Sequence, residues 1–292
     1  NNKQAPGWAA ADDKFDFGPV FRSQMIEARV KKGISGGHRM TLQGLVQAMD
    51  EPATQDLRAV ALMPILRRVL GRPRDADLRG ALDLLSRWAA AGAHRRDMNR
   101  DGHDEDAAAI TLMDAWWPRL VKAEFGGIGT TAFDRLSAVL RPDDVLPEDL
   151  PEAPDYDDGW WGFVSKDLRD LVARRSVRGR WSRVYCGGGS LASCRAALLS
   201  SLSAATKVSA ASLYGKGDCK SNPDPACSDQ NRPTVASAVT MPPFPFQNRP
   251  TFQQTVEITT GPATPAAPVP RKRSRQPARQ RTHRRTSPNF TG

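Results

Sequence analysis

The chain has 292 residues, 39% of them hydrophobic and 25% charged, enough apolar material for a core over most of its length. It carries 42 Lys and Arg against 32 Asp and Glu, a formal net charge of +10. The excess is local, because eight of the basic residues and no acid fall between Gly261 and Gly292. The body is therefore close to neutral and does not read as a nucleic-acid binder, and the absence of a long apolar run argues against a membrane helix.

From Asn1 to Gly18 there is neither a helical nor an alternating period. Pro6, Gly7, Gly18 and Pro19 interrupt a stretch that also holds Trp8, Phe15, Phe17 and Phe21, the composition of a loop packed against something else. Amide side chains at Asn1 and Asn2 could donate to an oxyanion. Asp12 or Asp13 could bind a hard cation through oxygen. Arg22 opens a helical pattern and is a fixed cation.

A helix is expected over residues 22 to 33, with Met25, Ile26 and Val30 on one side and Gly33 as its stop. Gly36-Gly37 is a turn, and Thr41 caps a short helix through Met49. Ala53 to Leu70 reads as one longer helix kinked at Pro64. Leu78 to Ala91 reads as another, with Leu78, Ala81, Leu82, Leu85 and Trp88 on one face and Gly92 at its end.

Asp97-Met98-Asn99-Arg100-Asp101-Gly102 matches the opening of a calcium loop of the EF-hand type. The closing bidentate Glu would fall at Ala108, so the plainer reading is an acidic loop whose Asp104 and Glu105 cap the next helix. That helix runs from Asp104 to about Glu124, with Ile110, Met113, Trp117 and Leu120 on an apolar face. Trp116 and Trp117 read as core. After it come a short helix over residues 132 to 140, a Pro-rich acidic excursion, and a helix from Trp160 to Arg175. The cluster Arg174, Arg175, Arg178, Arg180 and Arg183 reads as a solvated face.

The four cysteines form two close pairs, Cys186 with Cys194 and Cys219 with Cys227, each spanning turn-forming residues. Local disulfides in an exported protein fit this pattern, whereas the spacing is wrong for zinc. Free thiols and crossed pairings remain open on spacing alone. A helix from Ser190 to Ala204 starts between the first two cysteines. Val235 to Met241 and Thr255 to Thr259 are strand candidates. Residues 261 to 292 form a Pro- and Arg-rich tail expected to be disordered, against a folded body of residues 1 to 260.

The chain resembles the penicillin acylase (penicillin amidase) family of N-terminal-nucleophile hydrolases. The resemblance rests on Asn1-Asn2, Asp12 and Arg22, then Gln55-Asp56-Leu57-Arg58 with Leu62-Met63-Pro64-Ile65-Leu66. It continues at Leu84-Leu85-Ser86-Arg87-Trp88, Asp114-Ala115-Trp116-Trp117 and Asn248-Arg249-Pro250-Thr251-Phe252-Gln253-Gln254. It implies an α+β fold: the C-terminal part of an αββα hydrolase, mainly helical here with a few terminal strands. It also implies hydrolysis of linear amides with an apolar acyl group, penicillins or acyl-homoserine lactones being the substrate classes.

The family's nucleophile is an N-terminal Ser whose own α-amine is the base. It lies well upstream of the segment matched by Asn1-Asn2, so the expectation is a C-terminal fragment that needs the N-terminal part or α chain of the same precursor. Under the resemblance Asn1 and Arg22 are catalytic, Asn1 as oxyanion donor and Arg22 as the cation that orients it. Asp12 is a ligand of a structural Ca2+, and the protein is secreted or periplasmic. Two alternatives stand beside this one: an inert helical fragment, and a polyanion binder acting through the basic tail. None of the four histidines, His38, His94, His103 and His283, stands in a metal-binding or triad spacing.

Overall fold

The helix with apolar residues on nearly every side lies at the centre of the molecule. In the computed structural model, which describes residues 21–140, 159–173, 183–231 and 244–245, this is α5 (Ala107–Phe125), with eleven buried residues from Ala109 to Phe125. A helix that is apolar all round cannot show a solvent face and is packed from several directions. The chain divides into two units, Asn1–Thr255 and Val256–Gly292, and every described residue belongs to the first.

Before it run α1 (Phe21–Ile34), α2 (Leu42–Asp50), α3 (Met63–Leu70) and α4 (Ala76–Ala90). After it come α6 (Thr130–Leu140), α7 (Trp161–Ala173), α8 (Leu191–Ala205) and two short helices, α9 (Ala210–Tyr214) and α10 (Pro225–Ser228). The α8 helix lies along α5, with α4 beside both, and α3 bridges α4, α7 and α8. Their shared core holds Leu62, Leu66, Leu82, Leu85, Trp88, Ile110, Met113, Trp116, Val164, Leu168, Leu198 and Leu202. Full burial of one such side chain contributes about 1.5–3 kcal/mol relative to exposure.

Caps fix the starts. Thr41 accepts from Gly44 N at 3.0 Å, and Asp75 accepts from Asp77 N and Leu78 N at 2.8 and 2.9 Å. Each satisfies donors that the helix cannot.

The expected continuous helix from Ala53 to Leu70 is not formed. Glu51–Thr54 is a tight 3-10 turn, Gln55 bridges His94 as an isolated β pair, and Arg58–Leu62 is a π-helical turn that becomes α only at Met63. Asp56 causes the break, since its Oδ1 accepts from Arg58 N and Ala59 N as a cap would. Pro64 lies at the π-to-α junction, where the wider turn relieves its clash with the carbonyl four residues back. Pro118 sits inside α5 and escaped notice in the sequence; Arg119 Nη1 donates to the Ala115 carbonyl at 2.7 Å beside it.

Both disulfides are present with the local pairing, Cys186–Cys194 and Cys219–Cys227. Gly187, at φ 58°, is required for the first: a Cβ there would lie 2.2 Å from Cys194 N.

The only sheet among the described residues is an antiparallel pair of two-residue strands, β1 (Gln230–Asn231) and β2 (Phe244–Pro245). The expected strands at 235–241 and 255–259 and the tail from 261 lie outside the described residues. The described part is thus helical, and no central sheet of an αββα fold falls within it.

Candidate functional site

Of the three residues expected to carry chemistry, Asn1 and Asp12 lie outside the described residues, and Arg22 falls in the first turn of α1. The structure does assemble an ionic centre in which Asp56, Arg58 and Asp114 come from the other motifs.

Asp56 and Arg58 come from the break before α3, Asp114 from the middle of α5, Arg95 from the loop after α4, Tyr214 from the end of α9, and Asp229 from just past α10. Arg58 donates through Nε to Asp56 Oδ1 at 3.0 Å and through Nη2 to Asp56 Oδ2 and Asp114 Oδ1, both at 2.5 Å. Arg95 binds Asp114 through both terminal nitrogens at 2.9 Å. It binds Asp229 through Nε at 2.7 Å and Nη2 at 2.9 Å, and reaches Asp56 Oδ2 at 3.2 Å. These contacts use the whole donor fork of a guanidinium, which has five N–H groups and no acceptor. The Tyr214 hydroxyl donates to Asp114 Oδ2 at 2.6 Å.

The backbone around this centre is tied as well. Asp56 N donates to Ala93 O and Arg95 N to Thr54 O, both at 2.8 Å, and Trp88 Nε1 donates to His94 O at 3.1 Å.

Asp56, at 0% exposure, Arg95, at 2%, Arg58, Tyr214 and Asp229 are buried, and the Asp114 side chain keeps 7% exposure. Burial pushes the Asp114 carboxyl up, but the Arg95 and Arg58 guanidinium groups overcome it and hold the acid at about 2. At Asp229 burial prevails over Arg95 and the acid is raised to about 6. Burial also opposes the charge on both arginines, yet their carboxylates keep them above the ordinary value. A centre so closed offers no path to a substrate. Its chemistry is positional: it clamps five segments, and its Arg95–Asp229 contact alone spans 134 residues.

Beside it, the loop 97–105 adopts a turn, but the carboxylates face its own backbone. Asp97 accepts from Asp101 N and Gly102 N, Asp101 from His103 N, and Glu105 from Met98 N. Among the described residues no group of three His, Cys, Asp or Glu side chains could hold a metal ion. The expected capping by Asp104 and Glu105 is also absent: α5 begins at Ala107, and Asp106 at its N-cap makes no side-chain capping bond. Instead Asp104 N donates to Asp224 Oδ1, and His103 Nδ1 lies 2.9 Å from Asp224 Oδ2. Asp104 is buried with Oδ2 unpartnered, and burial, aided by Asp229, raises it to about 8.

Trp116 is core, donating to Ser201 Oγ at 2.9 Å. Trp117 has a second face: Arg58 lies 5.9 Å from its ring centroid on one side, and it lines a cavity of about 470 Å³ with Val121, Phe133, Leu140 and Trp160.

A family model described as Penicillin amidase matches residues 1–247. The chain belongs to the penicillin amidase family. No curated protein matches it. The penicillin amidase family hydrolyses carbon–nitrogen bonds, and the matched span includes every motif residue of the ionic centre. Asp56, Arg58 and Asp114 were visible in the sequence as family motifs. Arg95, Tyr214 and Asp229 were not, since none stands in a motif or an apolar period that would single it out.

Proposed function

We propose that this chain is the C-terminal part of the catalytic chain of an amidase that cleaves linear amides bearing an apolar acyl group. The observation that supports the reading most is the family match that begins at residue 1 and so spans Asn1, Asp12 and Arg22. In the proposed reaction the Ser hydroxyl, from sequence upstream of Asn1, attacks the amide carbonyl and gives its proton to its own α-amine. The C–N bond then breaks as that proton passes to the leaving amine, and water releases the acid from the acyl-serine.

Asn1 donates through its side-chain amide to the tetrahedral oxyanion, and Arg22 orients Asn1 and adds positive charge nearby. Asp12 is proposed as a calcium ligand. Asp12 lies outside the described residues, and no step runs through the ion. Penicillins and acyl-homoserine lactones are the proposed substrate classes. Two disulfides agree with an exported protein, and no described helix is long and apolar enough to cross a membrane.

The reading is tested with the whole protein that contains this chain, incubated with phenylacetyl and long-acyl p-nitroanilides. Release of nitroaniline is expected. Failure with both amides, by a protein shown to be folded and processed, would count against it.

A further inference from the structure

A recess of about 190 Å³ opens between α7, the end of α5 and the loop before Cys186. Its walls are aromatic. Phe125 and Trp160 have ring centroids 4.9 Å apart, Phe125 and Tyr185 5.5 Å, and Trp160 and Phe163 5.8 Å. Leu136 and Phe163 stand on its rim with 39% and 37% exposure, two of the few large apolar side chains left open to water among the described residues. An apolar space of about 150 Å³ suffices for a benzene ring.

Trp160 has φ 71°, a conformation that a bulky side chain adopts only when its surroundings impose it. Its Nε1 donates to Ser137 Oγ at 3.2 Å and its ring stacks on Phe133 at 5.3 Å. The strained turn thus fixes the indole as part of the wall.

The charged groups around the recess favour an anion. Lys166 and Arg183 line it. The Arg183 guanidinium lies 4.4 Å over the Tyr185 ring and makes no ion pair with any described carboxylate, while Lys166 reaches Asp170 only at 3.5 Å. Asp167 is the acid in the lining, and both its oxygens are occupied, accepting from Tyr185 N and Cys186 N at 2.8 Å. Behind it Glu124 is buried, and burial with the neighbouring Asp167 raises its carboxyl well above the usual carboxylate range. An aromatic box open to carboxylates would take an ammonium ion; this one presents two cations at its rim instead.

We infer that this recess is a binding site for a small aromatic carboxylate, the ring seated between Phe125, Trp160 and Tyr185 and the carboxylate facing Arg183 and Lys166. The inference stands on the recess alone and does not depend on amidase activity. It is tested by calorimetric titration of the full chain with benzoate, benzylamine and cyclohexanecarboxylate, which needs no variant to fold. Benzoate is expected to bind with Kd on the order of 1 mM, the range open to a ligand of so few atoms. Benzylamine should bind at least about tenfold more weakly, and cyclohexanecarboxylate between the two.

The pair Arg183→Gln, at an exposed position, and Lys166→Gln, at a half-buried one, should weaken benzoate by about tenfold or more with an unchanged far-ultraviolet spectrum. No heat with benzoate, equal affinity for benzylamine, or full benzoate affinity in the double variant would each overturn the assignment.

Discussion

Asp114 accepts from two arginines and a tyrosine inside the core, so removing its charge leaves Arg58 and Arg95 poorly compensated in a dry site. Asp114→Asn is expected to destabilise the chain by about 3–5 kcal/mol in urea unfolding, the cost of breaking a buried pair from one side. The pH dependence follows from the same groups. Asp114 is depressed to about 2, so its contribution is present above the ordinary carboxylate range and is lost as pH falls through that value. Asp229, at about 6, and Asp104, at about 8, are raised by burial. Their ionisation in the fold costs stability, which is recovered as pH falls from about 8 toward the unfolded value near 4. Urea midpoints should therefore be higher at pH 5 than at pH 8, and Asp104→Asn should shrink that difference. A midpoint that rises steadily from pH 5 to pH 8 would show that these acids are charged in the fold.

At the scale of single elements, periodicity and caps account for what could be read in advance. The helices around Leu82, Ile110 and Leu198 follow the apolar spacing because each buries one face or more in a common core, whereas the helix after Thr41 buries only Ala48 and is marked by its cap. The stretch from Ala53 to Leu70 shows why spacing can mislead. Leu57, Ala61 and Ile65 keep a helical rhythm, but Asp56 captures two backbone N–H groups and Pro64 widens the turn, and neither effect alters hydrophobic pattern. The disulfides were legible because their loops are short and turn-rich, which leaves little freedom for other pairings. The Cys186–Cys194 bridge closes the loop that Asp167 caps at Tyr185 N and Cys186 N. Replacing both cysteines with Ala should cost about 2–3 kcal/mol on the loop-entropy estimate, read as a lowered urea midpoint. An unchanged midpoint would mean that Asp167 and the α8 packing hold the loop unaided.

Across the whole molecule, the motifs scattered from Gln55 to Trp117 converge because one ionic centre needs them. Asp56 and Arg58 set the entry to α3, Asp114 anchors them to α5, and Arg95 and Asp229 draw in segments that no local pattern could have linked. The proposed catalytic groups have the opposite character. Asn1, Asp12 and Arg22 were legible only as a family motif, since an amide, a carboxylate and a guanidinium have no periodic signature and act by where a fold places them. Under the proposed function, the described helical body is the support of an amidase centre.

That claim is tested most directly by the turnover of Asn1→Ala in the whole protein, measured on a chromogenic acyl anilide beside its urea midpoint. Loss of one oxyanion donor should lower kcat by about 10²–10³ with the midpoint unmoved. A variant that keeps the parent kcat would contradict the placement of Asn1 at the reacting carbonyl.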